Sequence, residues 1–228
     1  MKLLVIICGH EMPAKWAPNI QVLRDYLAAL PDTSVDYCGI SNTGDFTAYE
    51  GIVPFKYKVA NPKLQIAKVC DFITDHQAEL DYDWFVKIRP DMLLLEPLSF
   101  EGLPTTAISA RARCYTGPKR IEYAMSIGGE GFWKNVKDCV YDEVEKRVIL
   151  DDMLFIFHRD AVAKGGFKKV NPPGRSIEFE QTPIWVAAGL GLNVIGIHMR
   201  NMSYVGDSGH LNLSGRRPGS MPSLSSYM

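Results

Sequence analysis

The sequence predicts an α/β protein in which a mostly parallel central sheet carries helices on both faces. Short apolar runs typical of buried strands alternate with stretches of helical periodicity in the first part of the chain. The 228 residues are enough for one large domain or two small ones. Hydrophobic residues make up 46% and charged residues 22%, as in ordinary globular proteins.

Each element of the first half is predicted from its local pattern. The helix at 16–30 places Ile20, Leu23, Leu27 and Leu30 on one face. The next helix starts at Asn61-Pro62, with Asn61 as N-cap, and runs to about residue 80. The predicted strands and extended segments are 2–8, 34–40, 52–59 and 84–89.

The second half is predicted in less regular elements. Strands are expected at 106–113, 153–157 and 192–198, turns at 117–131, and helices at 133–144, 160–164 and 177–189. No linker is apparent, so residues 1–205 are predicted to form one domain with a smaller second half. The Gly/Ser/Pro-rich segment 206–228 is predicted to be a flexible tail.

The composition of the chain argues against several classes of protein. The formal net charge of -1 does not favour a nucleic-acid partner. Five widely spaced cysteines without a CxxC pair argue against zinc and against a disulfide framework. The apolar opening is interpreted as a buried strand rather than a signal peptide, and no run of about 18 apolar residues predicts a membrane span. A soluble, cytoplasmic protein is therefore expected.

The strand at 84–89 runs into Arg89-Pro90-Asp91. Pro90 cannot donate to a ladder, so Asp91 should emerge at the carboxyl end of the strand, where open α/β sheets bind ligands. Mg²⁺ and Mn²⁺ favour carboxylate and phosphate oxygens. We therefore predict Asp91 as a metal ligand with Arg89 as a basic neighbour, the alternative being a surface turn with an Arg–Asp salt bridge.

Further candidates come from other loops. Asp151 and Asp152, just before an apolar strand, could supply a general base, or could cap a turn or stand in solvent. His198 closes the last predicted strand and could bind metal or phosphate, or be structural. Gly9 and His10 follow the first strand at the same sheet edge as Asp91.

Gln65 and Lys68 share one side of the second helix and could contact a nucleotide, or form a solvated face. Arg111, Arg113, Lys119 and Arg120 form a local basic cluster, although such runs usually face solvent. The sequence contains neither GxxxxGK[ST] nor a GxGxxG after the first strand. A P-loop enzyme and a standard dinucleotide-binding dehydrogenase are therefore disfavoured.

Taken in order, these segments resemble a GT-A-type glycosyltransferase in which the usual Asp-x-Asp is reduced to a Lys-Ile-Arg-Pro-Asp strand end. The resemblance spans roughly residues 1–200 and is to small domains of large algal viruses and bacterial surface-polysaccharide clusters. It implies a single GT-A-like domain that transfers a sugar from a nucleoside-diphosphate sugar (UDP- or GDP-sugar) to a hydroxyl of a glycan or glycoprotein acceptor. The second half would hold that acceptor.

The resemblance also implies residue roles. Asp91 and His198 would hold Mn²⁺ or Mg²⁺, and Asp152 or Asp151 would act as the base. Arg89 stands where the family has its first acidic residue. The residues implied to bind the nucleotide-sugar are Gly9, His10, Gln65, Lys68, Lys87 and Arg89.

Two other hypotheses use the same residues. A metal-dependent nucleotidyltransferase or phosphohydrolase could employ Asp91 with Asp151 and Asp152, but would need two metals close together. A non-catalytic nucleotide- or sugar-binding module would leave the four tryptophans in the core or at an interface.

Overall fold

A computed structural model describes residues 1–63, 65–94, 97–103, 105–114, 148–163, 193–197, 202–205 and 211–213. Its strands are β1 (Lys2–Cys8), β2 (Ser34–Ser41), β3 (Phe55–Ala60), β4 (Trp84–Ile88), β5 (Met92–Leu94), β6 (Ala107–Cys114), β7 (Val148–His158), β8 (Asn193–Ile197), β9 (Met202–Val205) and β10 (Leu211–Leu213). Its helices are α1 (Ala17–Ala28), α2 (Gln65–His76) and α3 (Arg159–Ala163), with a 3-10 turn at Ala14–Trp16.

The main sheet is mostly parallel. Within the described residues it has seven strands in the order β3-β2-β1-β4-β7-β6-β8. The strands β3, β2, β1 and β4 are parallel, β7 is antiparallel to both of its neighbours, and β8 is parallel to β6. The predicted α/β class with a mostly parallel sheet is therefore confirmed.

Strand β1 lies inside the sheet and is covered on both faces, which explains its unbroken apolar sequence. Helix α1 covers one face and α2 the other, because successive side chains of a strand point to opposite sides. The α1 face packs Leu3, Val5 and Ile7 of β1 against Ile20, Leu23 and Leu27. The α2 face packs Leu4, Ile6 and Cys8 against Val69, Cys70 and Ile73.

The order of strands reverses at β1. The next strands along the chain, β2 and β3, lie on one side of β1, and β4 and the later strands lie on the other. In open α/β sheets the crevice at such a reversal, outside the carboxyl ends of the strands, is where ligands bind. The loops that follow β1 and β4 border this crevice.

A second, small sheet continues from the end of β4. Strand β5 follows Asp91 directly and pairs with β9, which pairs with β10. Strand β10 lies within the segment 206–228, so the predicted tail contains a short strand; the boundary at residue 205 stays a prediction. Among the described residues, no helix has the length and apolar character needed to cross a bilayer.

Several expectations differ from the structure in detail. Helix α2 begins at Gln65 rather than at Pro62. Strand β7 begins at Val148, so Asp151 and Asp152 lie inside it rather than before it, because the extended backbone starts three residues ahead of Asp151. The predicted turns at 117–131, the helices at 133–144 and 177–189, and His198 lie outside the described residues.

Candidate active site at the reversal of strand order

A cavity of about 300 Å³ opens at the carboxyl edge of the main sheet, between the ends of β1 and β4. Its volume is at the lower end of the range for small-molecule sites. Among the described residues, three segments line it: the loop after β1, the 3-10 turn before α1, and the turn after β4. The lining residues are Gly9, His10, Glu11, Pro13, Lys15, Trp16, Arg89, Pro90 and Asp91.

Gly9 allows the loops after β1 and β4 to touch. A Cβ atom placed on Gly9 would lie 2.7 Å from the Glu11 carbonyl oxygen and 3.2 Å from Cγ of Pro90. The Gly9 N–H continues the sheet by donating to the Ile40 carbonyl at 3.0 Å. The missing side chain therefore makes room for protein atoms that shape the cavity wall.

Lys68 of α2 holds the loop after β1 in place by hydrogen bonding. It is fully buried, and its ammonium group donates to the Gly9 carbonyl oxygen at 2.9 Å and to Oδ1 of Asn42. Burial lowers the pKa of Lys68, because it disfavours the charged form. The idea that Lys68 lies on a solvated helix face is wrong; its ammonium supports the loop that lines the cavity.

Two buried polar side chains hold the other segments. The Asn19 amide in α1 donates to the Pro90 carbonyl at 3.2 Å. The Tyr49 hydroxyl donates to the Pro13 carbonyl at 2.9 Å. The pKa of Tyr49 is raised, first by burial and then by the negative charge of Asp91. The cavity is thus built on a hydrogen-bonded frame, with the Asp91 carboxylate close enough to influence Tyr49.

Arg89 and Asp91 form a two-point ion pair across Pro90. Nε and Nη2 of Arg89 donate to the two carboxylate oxygens of Asp91 at 2.8 and 2.5 Å. The Asp91 side chain is 5% exposed and that of Arg89 is 27% exposed. Paired charge-assisted bonds of this kind are strong and fix the guanidinium in one orientation.

Both carboxylate oxygens of Asp91 accept from Arg89, so a divalent metal at Asp91 would have to compete with the guanidinium for them. Over the part of the chain that the structure describes, no group of three or more His, Cys, Asp or Glu side chains could hold a metal ion. The second predicted ligand, His198, lies outside that part. The described residues therefore do not fit a metal centre built on Asp91.

The backbone of Asp151 and Asp152 lies at the same edge of the sheet. Strand β7 runs beside the end of β4, where the Arg89 N–H donates to the Met153 carbonyl at 3.0 Å. Pairing of β7 with β6 shifts between Ala110 opposite Phe155 and Ala112 opposite Leu150. The two aspartates thus lie in an irregular stretch of a strand, and such irregularities are common beside active sites.

Lys68 and Lys87, two of the predicted nucleotide contacts, are not among the described residues that line the cavity. Lys87 is fully buried, with its ammonium 5.5 Å from the ring centre of Phe155, which belongs to the core cluster on the α2 face. Gln65 begins α2, but its side chain lies outside the described atoms. His10 is exposed and lines the cavity, and its contact with a nucleotide stays a prediction.

Lys15 and Trp16 line the cavity but were not predicted as site residues. The Lys15 ammonium lies 4.9 Å from the centre of the half-buried Trp16 ring. The signal was present as a Lys-Trp pair between the first strand and first helix, but Trp16 was interpreted as the start of that helix.

No family model matches the chain, and no curated protein sequence matches it. Solved structures do share its fold. A protein described as a glucose-1-phosphate thymidylyltransferase from Bacillus anthracis, in complex with a sucrose, has a TM-score of 0.50 at 13% identity, over 90% of this chain and 89% of its own. That match shows the α/β fold.

Two other structures are similar at lower scores. A CMP:2-keto-3-deoxy-manno-octonic acid synthetase in complex with CTP has a TM-score of 0.49 at 13% identity, over 87% of this chain and 89% of its own. A Drosophila β-1,4-galactosyltransferase 7 mutant, in complex with manganese, UDP-Gal and xylobiose, has a TM-score of 0.46 at 11% identity. The match covers 99% of this chain and 78% of that protein's chain.

Proposed function

We propose that this chain is a glycosyltransferase that moves a sugar from a nucleoside-diphosphate sugar to a hydroxyl of a glycan or glycoprotein acceptor. One observation carries the proposal: the cavity at the reversal of strand order presents an aromatic ring and basic groups together. A nucleotide needs both kinds of contact, because its base has a flat apolar face and its phosphates are anionic.

Trp16 is the proposed platform for the base. Its ring is half-buried and borders the cavity, and stacking of a base on such a ring contributes about 1–3 kcal/mol. Lys15 and Arg89 are the proposed phosphate contacts on two sides of the same cavity. In this arrangement Trp16 binds the base of the donor, and Lys15 and Arg89 bind its phosphates.

The proposed reaction forms a bond between the acceptor oxygen and the anomeric carbon of the donor sugar. The bond from that carbon to the β-phosphate oxygen breaks, and the nucleoside diphosphate leaves with the electron pair. The acceptor proton passes to a carboxylate, for which Asp152 or Asp151 is the candidate because both lie in β7 beside the end of β4. Cationic side chains aimed at the leaving phosphate stabilise its developing charge.

The binding part of the proposal is tested by the thermal stability of the protein with UDP, GDP and dTDP. We expect at least one to raise the melting temperature, and Trp16→Ala to weaken that nucleotide about 10- to 100-fold, with Trp16→Phe much closer to the parent. A protein indifferent to all three nucleotides would contradict the proposal.

The catalytic part is tested by release of nucleoside diphosphate from the matching nucleotide-sugar. Substituting the base, by Asp152→Asn or Asp151→Asn, should slow release about 10²- to 10⁴-fold while nucleotide affinity is unchanged. Asp75→Asn, an exposed position on α2, is the matched control and should leave the rate unchanged. Full release by both base variants would remove these two residues from the mechanism.

A nucleotidyltransferase is the second candidate, because the structure with a TM-score of 0.50 is described as a thymidylyltransferase. Such an enzyme would combine a nucleoside triphosphate with a sugar 1-phosphate and release pyrophosphate. Pyrophosphate formation, with no release of diphosphate from nucleotide-sugars, would favour this candidate. Nucleotide binding without either reaction would indicate a binding module.

A further inference from the structure

We infer that the Arg89–Asp91 pair stands in for a divalent metal, so that the guanidinium of Arg89, oriented by Asp91, binds the nucleotide diphosphate without a metal ion. The inference rests on the proposed function and says how that site meets the charge of its ligand. It differs from the metal-assisted site that the sequence resemblance implies.

The first observation is the state of Asp91. Its two oxygens accept from Nε and Nη2 of Arg89, and its side chain is 5% exposed. An incoming metal would compete with the guanidinium for these oxygens. It would also bring two positive charges beside a third at short range, where like charges repel strongly in a partly buried setting.

The second observation is the position of Arg89. It lines the cavity and is more exposed than its partner, at 27%. A guanidinium carries its N–H donors in a rigid planar fork. That fork matches the spacing of phosphate oxygens, whereas a carboxylate alone would repel them. The pair therefore presents its cationic member to the cavity.

The third observation is that the pair is held in place. Pro90 lies between its members, and the Pro90 carbonyl accepts from the buried Asn19 amide at 3.2 Å. The Arg89 backbone N–H donates to Met153 and the Met92 N–H donates to the Arg89 carbonyl, at 3.0 and 3.1 Å. A cation fixed before the ligand arrives costs little reorganisation when phosphate binds.

The decisive measurement is calorimetric titration of the full chain with UDP, GDP and dTDP, once in excess EDTA and once with MnCl₂. We expect the nucleotide that binds to do so with the same affinity in both conditions. Binding that appears only with Mn²⁺ would overturn this inference and leave the proposed function standing. No binding in either condition would overturn both.

Removing the guanidinium tests the role of Arg89 itself. Arg89→Gln should weaken the nucleotide about 10- to 100-fold in EDTA, since bonds to charged groups are lost. Because that change leaves the Asp91 carboxylate buried without its partner, the double variant Arg89→Gln/Asp91→Asn repeats the test with neither charge. Unchanged affinity in the folded double variant would contradict the inference.

Arg159→Gln is the matched control, because Arg159 also pairs with an aspartate, Asp83, but at the amino end of β4. It should leave nucleotide affinity unchanged. Arg89→Asp makes the complementary test, since it frees Asp91 and adds a second carboxylate two residues away. We expect it to bind the nucleotide weakly in EDTA and to gain affinity with Mn²⁺; parent-like affinity in EDTA would show that Arg89 does not contact the diphosphate.

Discussion

At position 9 the protein has no room for a side chain. The nearest obstacle to a Cβ is the Glu11 carbonyl oxygen at 2.7 Å, and the Pro90 ring follows at 3.2 Å. A backbone atom cannot rotate away as a side chain can. Any substitution at Gly9 must therefore move the loop after β1 relative to the turn after β4.

We expect Gly9→Ala to lower the free energy of unfolding by about 1–3 kcal/mol, the usual cost of overpacking, and to weaken nucleotide binding. Chemical denaturation and calorimetric titration measure the two effects. Gly51→Ala is the control, because nothing lies within 4 Å of a Cβ at Gly51. If the Gly9→Ala protein were as stable as the control, the loop would be able to accommodate a methyl group at position 9, and the prediction would be wrong.

Lys68 shows what a residue pattern cannot reveal. Helical periodicity places it away from the apolar side of α2, yet it is fully buried. The reason is its bond to the Gly9 carbonyl, 59 residues away in the sequence. The fold brings the Lys68 ammonium and the Gly9 carbonyl together, so the sequence near Lys68 cannot reveal this partner.

At the scale of elements, the amino end of β4, like its carboxyl end, is held by side-chain hydrogen bonds and an ion pair. The Asp83 carboxylate accepts from the Lys2 backbone N–H at 2.7 Å and pairs with Arg159 at the start of α3. The N–H of Lys2, with help from Arg159, lowers the pKa of Asp83 below the ordinary value of 3.8. One carboxylate thus joins the starts of β1, β4 and α3.

We expect Asp83→Asn to be less stable than the parent near neutral pH. A carboxyl group whose pKa falls on folding stabilises the protein above its unfolded pKa, and this contribution is lost as the pH falls through the folded value. The difference in the free energy of unfolding should therefore shrink below about pH 3.8, as urea denaturation across pH would show. A difference that stays constant there would exclude the carboxylate as its source.

Element boundaries were predicted well where one pattern dominates. Strand β1 was predicted at its observed bounds because both faces are apolar. Helix α2 was placed too early because Asn61 does something other than cap it: its Oδ1 accepts from the Lys63 N–H at 3.1 Å, and its amide donates to Asp71. The same side chain that signals a helix start here makes a turn before the helix.

At the scale of the molecule, the α/β class follows from alternating strands and helices, and it is confirmed. The edge that carries the cavity could also be predicted, because ligands gather at the carboxyl ends of such strands. The sequence does not determine whether Asp91 is a metal ligand or pairs with Arg89, because an Arg-Pro-Asp sequence is compatible with both. Lys15 and Trp16 were missed because sequence does not say which side of a turn faces the ligand.

We expect nucleotide binding to protect two separate stretches of backbone. Amide hydrogen exchange should slow at residues 9–16 and 89–92, which border the cavity, and should change little along β3, an edge strand of the sheet that does not border it. At a ligand concentration 100 times Kd the protein should gain about 2.7 kcal/mol of stability. Protection confined to other regions would place the nucleotide elsewhere.

The central position of β1 has a consequence for how the chain acquires its structure. One neighbour, β2, is the next strand of the chain, but the other, β4, comes much later, and the hydrogen bond from the Lys2 N–H to Asp83 spans 81 residues. Loops of that length must close before the middle of the sheet exists, which makes for a high contact order and slow folding. During that interval the apolar edge of β1 stands unpaired, so the newly made chain is most prone to aggregation before β4 arrives.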